Sequence, residues 1–255
     1  MQWLPHYLRP KSEPTPPPLP RLAHPVGIIG DIHGRADLLD RLLALVAAEP
    51  GALQARLIFV GDYIDRGPGS ARVLTRLQEL TATGKATCLM GNHERMLLDT
   101  IDRPEVAGQR WLLNGGDTTL ASFGASFGAT GRLPGDSEAE RMAALAVRIR
   151  EALPAGVENW LRALPLWWQD HGLAVVHAGA DPALPMAQQE ETALIWGHRQ
   201  FGKPRPDGLW IAHGHVVVAE PTAEAGRIAV DTGAWATGRL TAAWIEAGQV
   251  RFLQT

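Results

Sequence analysis

The chain has 255 residues, 45% hydrophobic and 20% charged, with a formal net charge of −3, which suits one large core and excludes a global basic field for nucleic acid or anionic membrane. No run approaches the ~18 apolar residues of a membrane span, and no signal-peptide pattern is visible at the start. The single cysteine, Cys88, excludes an internal disulfide and fits a reducing, cytoplasmic setting.

Residues 1–25 are proline-rich, with KSEPTPPPLP at their centre. Proline's fixed φ and missing N–H exclude helix and central strand, so this is an extended N-terminal arm. Trp3, Tyr7 and Leu8 would let it dock on the body or on a second subunit. From Val26 onward, residues 26–255 read as a single domain. VGIIG is a short apolar strand. ADLLDRLLALVAAE follows at helical spacing, with Leu38, Leu42, Leu45 and Val46 on one face, and Pro50-Gly51 ends it. RLIFV is a second strand, SARVLTRLQELTATG a second helix closed by Gly84, and ATCLM a third strand that holds Cys88 as a core residue. Strand–helix–strand–helix–strand implies a parallel sheet with right-handed crossovers. Residues 104–162 break the pattern and read as a helical insertion. EAERMAALAVRIREAL and VENWLRALP are its helices; Gly115-Gly116-Asp117 and SFGASFGATG are its loops. Strands then return in LAVVHAGA, LWIAHGHV, RIAVDTGA and LTAAWIEAGQVRFLQ, the last an antiparallel hairpin around Ala247-Gly248. The fold class is α/β.

Polar clusters follow the strands: Asp31/His33, Asp62/Asp65/Arg66, Asn92/His93, His177 and His213/His215. Each alone has an ordinary structural reading. Asp31 could start a helix, His177 could be a satisfied core histidine, and Glu94 a helix-start carboxylate. In an open α/β sheet, however, the carboxyl ends of parallel strands share one edge, where ligands bind. Aspartate, asparagine and histidine donors suit Mn²⁺, Fe or Zn²⁺ better than Ca²⁺. There are more donors than one ion needs, which points to two divalent cations bridged by a carboxylate and a hydroxide.

The motifs GDIHG (30–34), GDYIDRG (61–67), GNHE (91–94), HAG (177–179) and GH (214–215) resemble those of the calcineurin-like metallophosphoesterases, in their serine/threonine phosphoprotein phosphatase branch. WLLNGGDTTLASFG (111–124) is similar to bacterial members of that branch and to symmetrical diadenosine tetraphosphatases. The resemblance spans most of residues 26–240. It implies a two-sheet β-sandwich flanked by helices. It implies that Asp31 and His33 hold the first metal, that Asp62 bridges both, and that Asn92, His177 and His215 complete the second. His93 would be the general acid, oriented by Asp65, and Arg66 would clamp phosphate. The chain departs from the branch after the HAG motif. There the usual Trp-x-Arg-x-x-Phe reads Trp196-Gly197-His198-Arg199-Gln200-Phe201. Spacing assigns the second phosphate contact to His198, and charge assigns it to Arg199. The ligand that follows glycine is His215, which leaves His213 as a buried neighbour.

The activity so implied is hydrolysis of phosphate monoesters, phosphoserine and phosphothreonine of proteins first, by metal-bridged hydroxide. Two metals bring the pKa of bridging water from about 15.7 towards 7. Arg66 offers a planar fork that lysine lacks. An alternative is cleavage of dinucleoside polyphosphates, with an aromatic shelf from Trp111, Trp167 or Trp168. A non-enzymatic alternative is a docking module that uses the proline-rich arm. Cys88 lacks the Cys-x₅-Arg cradle of a cysteine phosphatase. Expected partners are a phosphorylated protein or a small phosphoester, with neither nucleic acid nor membrane.

Overall fold

The computed structural model describes residues 17–125 and 133–255. Trp3, Tyr7, Leu8 and most of SFGASFGATG lie outside the described residues. The first parallel unit forms as the sequence predicts. β1 (Val26–Ile29) is followed by α1 (Ala36–Ala47), β2 (Arg56–Phe59), α2 (Ser70–Ala82) and β3 (Ala86–Cys88). β1 pairs β2 in parallel from Val26↔Arg56 to Ile29↔Phe59, and β2 pairs β3 in parallel. α1 buries Leu38, Leu39, Leu42 and Val46, but Leu45 is 42% exposed. At 100° per residue the buried stripe centres between Leu42 and Val46, which leaves Leu45 about a quarter turn away.

α3 (Asn92–Asp102) starts directly after β3, and residues 104–162 then carry α4 (Pro104–Leu113), α5 (Gly116–Ser122), α6 (Glu138–Ala152) and α7 (Val157–Arg162). α6 opens on a capping box in which Ser137 and Glu140 satisfy each other's backbone N–H groups. The second sheet follows: β4 (Trp167–Asp170), β5 (Leu173–Val176), α8 (Glu191–Trp196), β6 (Trp210–His213), β7 (Thr222–Glu224) and β8 (Arg227–Ala229). After the one-turn α9 (Ala234–Thr237), β9 (Thr241–Glu246) and β10 (Gln249–Gln254) return to the first sheet. The strand orders are β10-β9-β1-β2-β3 and β4-β5-β6-β8-β7. The β9–β10 hairpin turns at Ala247 and Gly248, both at positive φ, which suits the right-handed twist of the strands.

Two apolar layers hold this α/β sandwich. Alternate residues of both sheets (Ile28, Ile58, Val60, Val175, Ala212, Ile228, Ile245) form the layer between them. Their opposite faces pack on the helices through residues such as Ile29, Phe59, Leu42, Leu74 and Leu97. Residues 17–25 cross the starts of the strands. The Trp210 indole donates to the Pro17 carbonyl at 2.9 Å, Arg56 N–H to the Pro25 carbonyl at 3.0 Å, and Leu19 and Leu22 pack on the inter-sheet layer. This stretch of the arm therefore covers one end of the sandwich. The polar clusters occupy the other end, beyond the carboxyl ends of β1, β2, β3, β5, β6 and β8. Among the described residues, no helix is long and apolar enough to cross a membrane.

Candidate metal centre

The loops that leave these strands are tightly bent. His33, Asp62, Asp65, Arg66 and His215 all have positive φ, between 46° and 69°. Side chains other than glycine rarely adopt this conformation, and its concentration here marks a backbone held by its surroundings. Glu94 supplies much of that hold around Asp62. Its buried carboxyl accepts N–H groups from Asp62 and Tyr63, both at 2.8 Å, and from Gly91 at 3.1 Å. Burial and the Asp62 charge push Glu94 up to about 8, against these backbone bonds.

Asp62 is the centre of the site. His33, Asp62 and His93 form one group of donor atoms within 4.8 Å of one another; Asp62, His177 and His215 form a second. Only Asp62 belongs to both. One of its oxygens lies 3.4 Å from His33 Nε2, and the other lies 3.3 Å from His177 Nε2. The histidines are fixed from behind: His33 Nδ1 bonds the Ile64 carbonyl at 2.9 Å, and His177 Nδ1 bonds the Val60 carbonyl at 3.0 Å. Those bonds place the proton on Nδ1 and turn the Nε2 lone pair inward. Burial lowers His33 to about 3 and His177 to about 4, and it lowers His215 as well, so their lone pairs are free at neutral pH. Burial favours a neutral Asp62, but the charges of His177, His93 and His33 hold it well below the usual carboxylate range.

Asn92, the first residue of α3, directs Oδ1 at His177 Nε2 and at His215 Nδ1, both at 2.8 Å. With the His177 proton on Nδ1, lone pairs of Asn92 and His177 face each other across that gap. A cation there would satisfy both, so the donor set fits two ions that share Asp62. Asp31 lies at the same edge. Its carboxylate accepts the His215 N–H at 3.1 and 3.2 Å. Burial raises its pKa well above normal, and the charges of Asp231 and Asp62 add to the effect.

His93 is turned the other way. Its Nδ1 bonds Asp65 at 2.6 Å, while Nε2 faces the site, 3.9 Å from Asp62 and 3.1 Å from the Arg66 guanidinium. Burial opposes a charge on His93, but Asp62 and Asp65 outweigh it and raise the pKa above 6.5. The second Arg66 nitrogen lies 3.1 Å from His33 Nε2. The structure thus brings Asp31, His33, Asp62, Asp65, Arg66, Asn92, His93, His177 and His215 together at one edge.

It placed others differently. Trp111 was considered for an aromatic shelf, but it is fully buried and its indole N–H donates to the Asp65 carboxylate at 3.0 and 3.1 Å. Trp168 packs at the far end of the sandwich, beside Pro25 and Lys85. Among the described residues, two other tryptophans lie near the site. Trp235 is 45% exposed and lies 5.1 Å from the Arg66 guanidinium; Trp196 meets His215 edge-on at 6.5 Å and carries Arg110 over its face at 4.1 Å. His213 is buried beneath Phe201, with Nδ1 on the Gly214 carbonyl. His198 leans towards Asp181 at 3.8 Å, and Arg199 is exposed with no hydrogen bond or ion pair to a site residue. Asp231 was missed. It follows β8 as Asp31 follows β1; burial and Asp62 push it up to about 6, against the Gly233 N–H that it accepts at 2.8 Å. Thr119, which donates to Asp65 at 2.7 Å, was missed as well.

Comparison with known proteins bears on the whole arrangement. Residues 24–219 match the calcineurin-like phosphoesterase family. Serine/threonine-protein phosphatase 1 of Salmonella typhimurium is 41% identical over 92 residues, 36% of this chain and 39% of its own. The corresponding phosphatase 2 of Escherichia coli is 39% identical over 36% of this chain and 38% of its own. The chain therefore aligns with only about two fifths of those relatives. The asymmetrical bis(5'-nucleosyl)-tetraphosphatase PrpE of Halalkalibacterium halodurans is 28% identical over 242 residues, 84% of this chain and 87% of its own. A solved structure of a putative diadenosine tetraphosphatase has the same fold, with a TM-score of 0.61 at 24% identity, over 92% of this chain and 96% of that one.

Proposed function

Because the chain belongs to the calcineurin-like phosphoesterase family, we propose that it is a two-metal hydrolase of phosphate monoesters, with phosphoserine and phosphothreonine of proteins as the first substrate class. The observation that supports this best is the single shared carboxylate, Asp62, with two histidine groups on its two sides and a histidine–aspartate pair beside it. Two divalent cations, Mn²⁺ first with Fe or Zn²⁺ as alternatives, would be held by Asp31, His33 and Asp62 and by Asp62, Asn92, His177 and His215; when bound they supply an acidified water and neutralise phosphate charge.

The chain's own residues do the rest. Neutral His33, His177 and His215 keep lone pairs available as donors. Arg66 presents its fork towards the same space and can bind two phosphate oxygens at once. His93 can carry a proton on Nε2 towards a departing alkoxide, because Asp65 accepts from Nδ1 and favours the imidazolium. The complete donor set argues against an inactive docking module.

A second reading is hydrolysis of dinucleoside polyphosphates. Its support is the end-to-end likeness to the tetraphosphatase PrpE and the exposed Trp235 beside Arg66, on which a base could stack. A panel of phosphoserine, phosphothreonine and phosphotyrosine peptides beside diadenosine tetraphosphate, run with Mn²⁺, separates the two. Preference for the dinucleotide over every phosphopeptide by more than tenfold in kcat/KM would replace the first reading by the second. A cytoplasmic location, and a phosphoprotein or small phosphoester as partner, belong to the same proposal.

A further inference from the structure

The helical insertion reaches into the chemical centre at one point. Asp65 is fully buried, and each of its carboxylate oxygens takes two hydrogen bonds. Oδ2 accepts from His93 at 2.6 Å and from the Trp111 indole at 3.0 Å; Oδ1 accepts from Trp111 at 3.1 Å and from the Thr119 hydroxyl at 2.7 Å. The Thr119 oxygen in turn accepts the Asp65 N–H at 2.8 Å, so both ends of this residue are gripped. Trp111 lies on α4 and Thr119 on α5.

The junction between these helices is built for close approach. A side chain at Gly116 would meet the Trp111 ring at 2.3 Å, and one at Gly115 would meet the Arg66 backbone nitrogen at 2.7 Å. Gly115 also has φ +95°, which favours glycine. The junction therefore rests on the Asp65–Arg66 turn, both residues of which have positive φ.

We propose that Trp111 and Thr119 are positioning residues for the proton donor: they fix the Asp65 carboxylate so that His93 Nε2 is aimed into the site. This inference rests on the reading of His93 as leaving-group acid. A carboxylate with one histidine contact and no other donor could turn about its terminal torsion. Two donors on its outer side close that freedom. They also compensate the burial of its charge, which an apolar wall would not do. The insertion is then part of the catalytic geometry as well as a cover over α3.

The test compares leaving groups. Trp111→Phe keeps an aromatic ring and removes the N–H; Thr119→Val removes the hydroxyl, and Thr119→Ser restores it. All are assayed as the Mn²⁺-loaded 255-residue chain on an alkyl phosphate, whose alkoxide needs a proton, and on p-nitrophenyl phosphate, whose phenolate needs it less. For Trp111→Phe, kcat on the alkyl ester should fall roughly 10- to 100-fold, the range for one hydrogen bond to a charged group, with several-fold less loss on p-nitrophenyl phosphate. KM and bound metal should stay near parental. Thr119→Val should show the same asymmetry and Thr119→Ser should recover most of it. In a His93→Asn background, Trp111→Phe should add nothing. Proton NMR of the Zn²⁺-loaded protein gives a second readout that needs no turnover. The downfield Nδ1 proton of His93, identified by its loss in His93→Asn, should shift or broaden in Trp111→Phe. Equal losses on both esters, an added loss in the His93→Asn background, or an unchanged Nδ1 resonance would overturn the proposal. If His93→Asn itself loses equally on both esters, the acid reading of His93 falls and the positioning role falls with it. If His93→Asn discriminates and Trp111→Phe does not, only the positioning role falls.

Discussion

Gly214 leaves room for the Asp31 carboxylate, the proposed ligand, against the backbone, and Gly214→Ala measures how much that room matters. The new Cβ would lie 1.9 Å from Asp31 Oδ1, 2.7 Å from Val60 Cγ2 and 3.1 Å from Asp31 Cγ. Contacts below 3.0 Å are essentially never made by Cβ atoms, so the carboxylate must retreat by at least the difference from 1.9 Å, 1.1 Å. Metal–oxygen bonds are about 2.0–2.2 Å long, and half a bond length of displacement breaks the contact. Gly214 does not have positive φ, so alanine brings no backbone strain there. The expected stability cost is that of mild overpacking, about 1–3 kcal/mol. For a chain of this size that is a fall of roughly 2–6 °C in Tm. The functional cost should be larger: one of two metal equivalents lost at limiting Mn²⁺, and kcat/KM down roughly 10²-fold, the usual result of a misplacement near 1 Å. Metal per chain is read after gel filtration, and kcat/KM on p-nitrophenyl phosphate. Gly84→Ala is the control, because Gly84 has φ +72° and nothing within 4 Å of the added Cβ; it should cost about 1 kcal/mol of stability and no metal. Two tightly held equivalents and nearly parental turnover in Gly214→Ala would refute the placement of Asp31 as a ligand.

Removing metal with a chelator should abolish hydrolysis of p-nitrophenyl phosphate and Mn²⁺ should restore it; full activity in the exhaustively stripped protein would remove the two-metal reading. His93→Asn should lower kcat on an alkyl phosphate by roughly 10²–10⁴, with a smaller loss on p-nitrophenyl phosphate. The sign of its pH dependence follows from the raised pKa of His93. The proton to be donated is present below that value and lost as pH rises through it, so the alkyl-ester rate should have an alkaline limb that His93→Asn removes. Arg66→Ala should weaken inhibition by inorganic phosphate and cut kcat/KM roughly 10- to 100-fold, while Arg199→Ala and His198→Ala stay within about threefold. A loss at Arg199 equal to that at Arg66 would show that the loop after α8 closes on the substrate.

The fold and most of the centre were legible for one reason: a polar residue directly after a short buried strand is seldom needed for the turn alone. Glycine suffices at Gly30, Gly61 and Gly91; the Asp31, Asp62 and Asn92 that follow them point to the shared edge. The same rule applied to RIAVDTGA would have found Asp231, which lies beside Asp31. β4 and β7 carried weaker signals. WWQD does not alternate, and the β7–β8 turn is Ala225-Gly226, where alanine adopts φ 50° without the asparagine or aspartate that usually marks such a turn. The arm gave its conformation but not its place. Prolines specify an extended chain, and the Trp210 indole, the Arg56 N–H and the end of the inter-sheet layer specify where residues 17–25 lie.

Trp111 shows why the remainder could not be read. In sequence it is a large apolar residue that core packing accounts for first and an aromatic shelf second. Its role comes from one nitrogen, which meets Asp65 across 46 residues of chain. Nothing in the spacing of either segment encodes that meeting; it depends on Gly115 and Gly116 letting the α4–α5 junction rest on the Asp65–Arg66 turn. The motifs at the strand ends supply donor types, which chemistry constrains and sequence records. The orientation of Asp65, and through it of His93, rests in the positioning proposal on residues whose types carry no such chemistry, a tryptophan, a threonine and two glycines. A chain with every metal donor intact and a different residue at 111 would keep all five strand-end motifs and lose only the first residue of WLLNGGDTTLASFG. If the positioning argument holds, it would bind metal and phosphate as this chain does and fail selectively on esters with poor leaving groups.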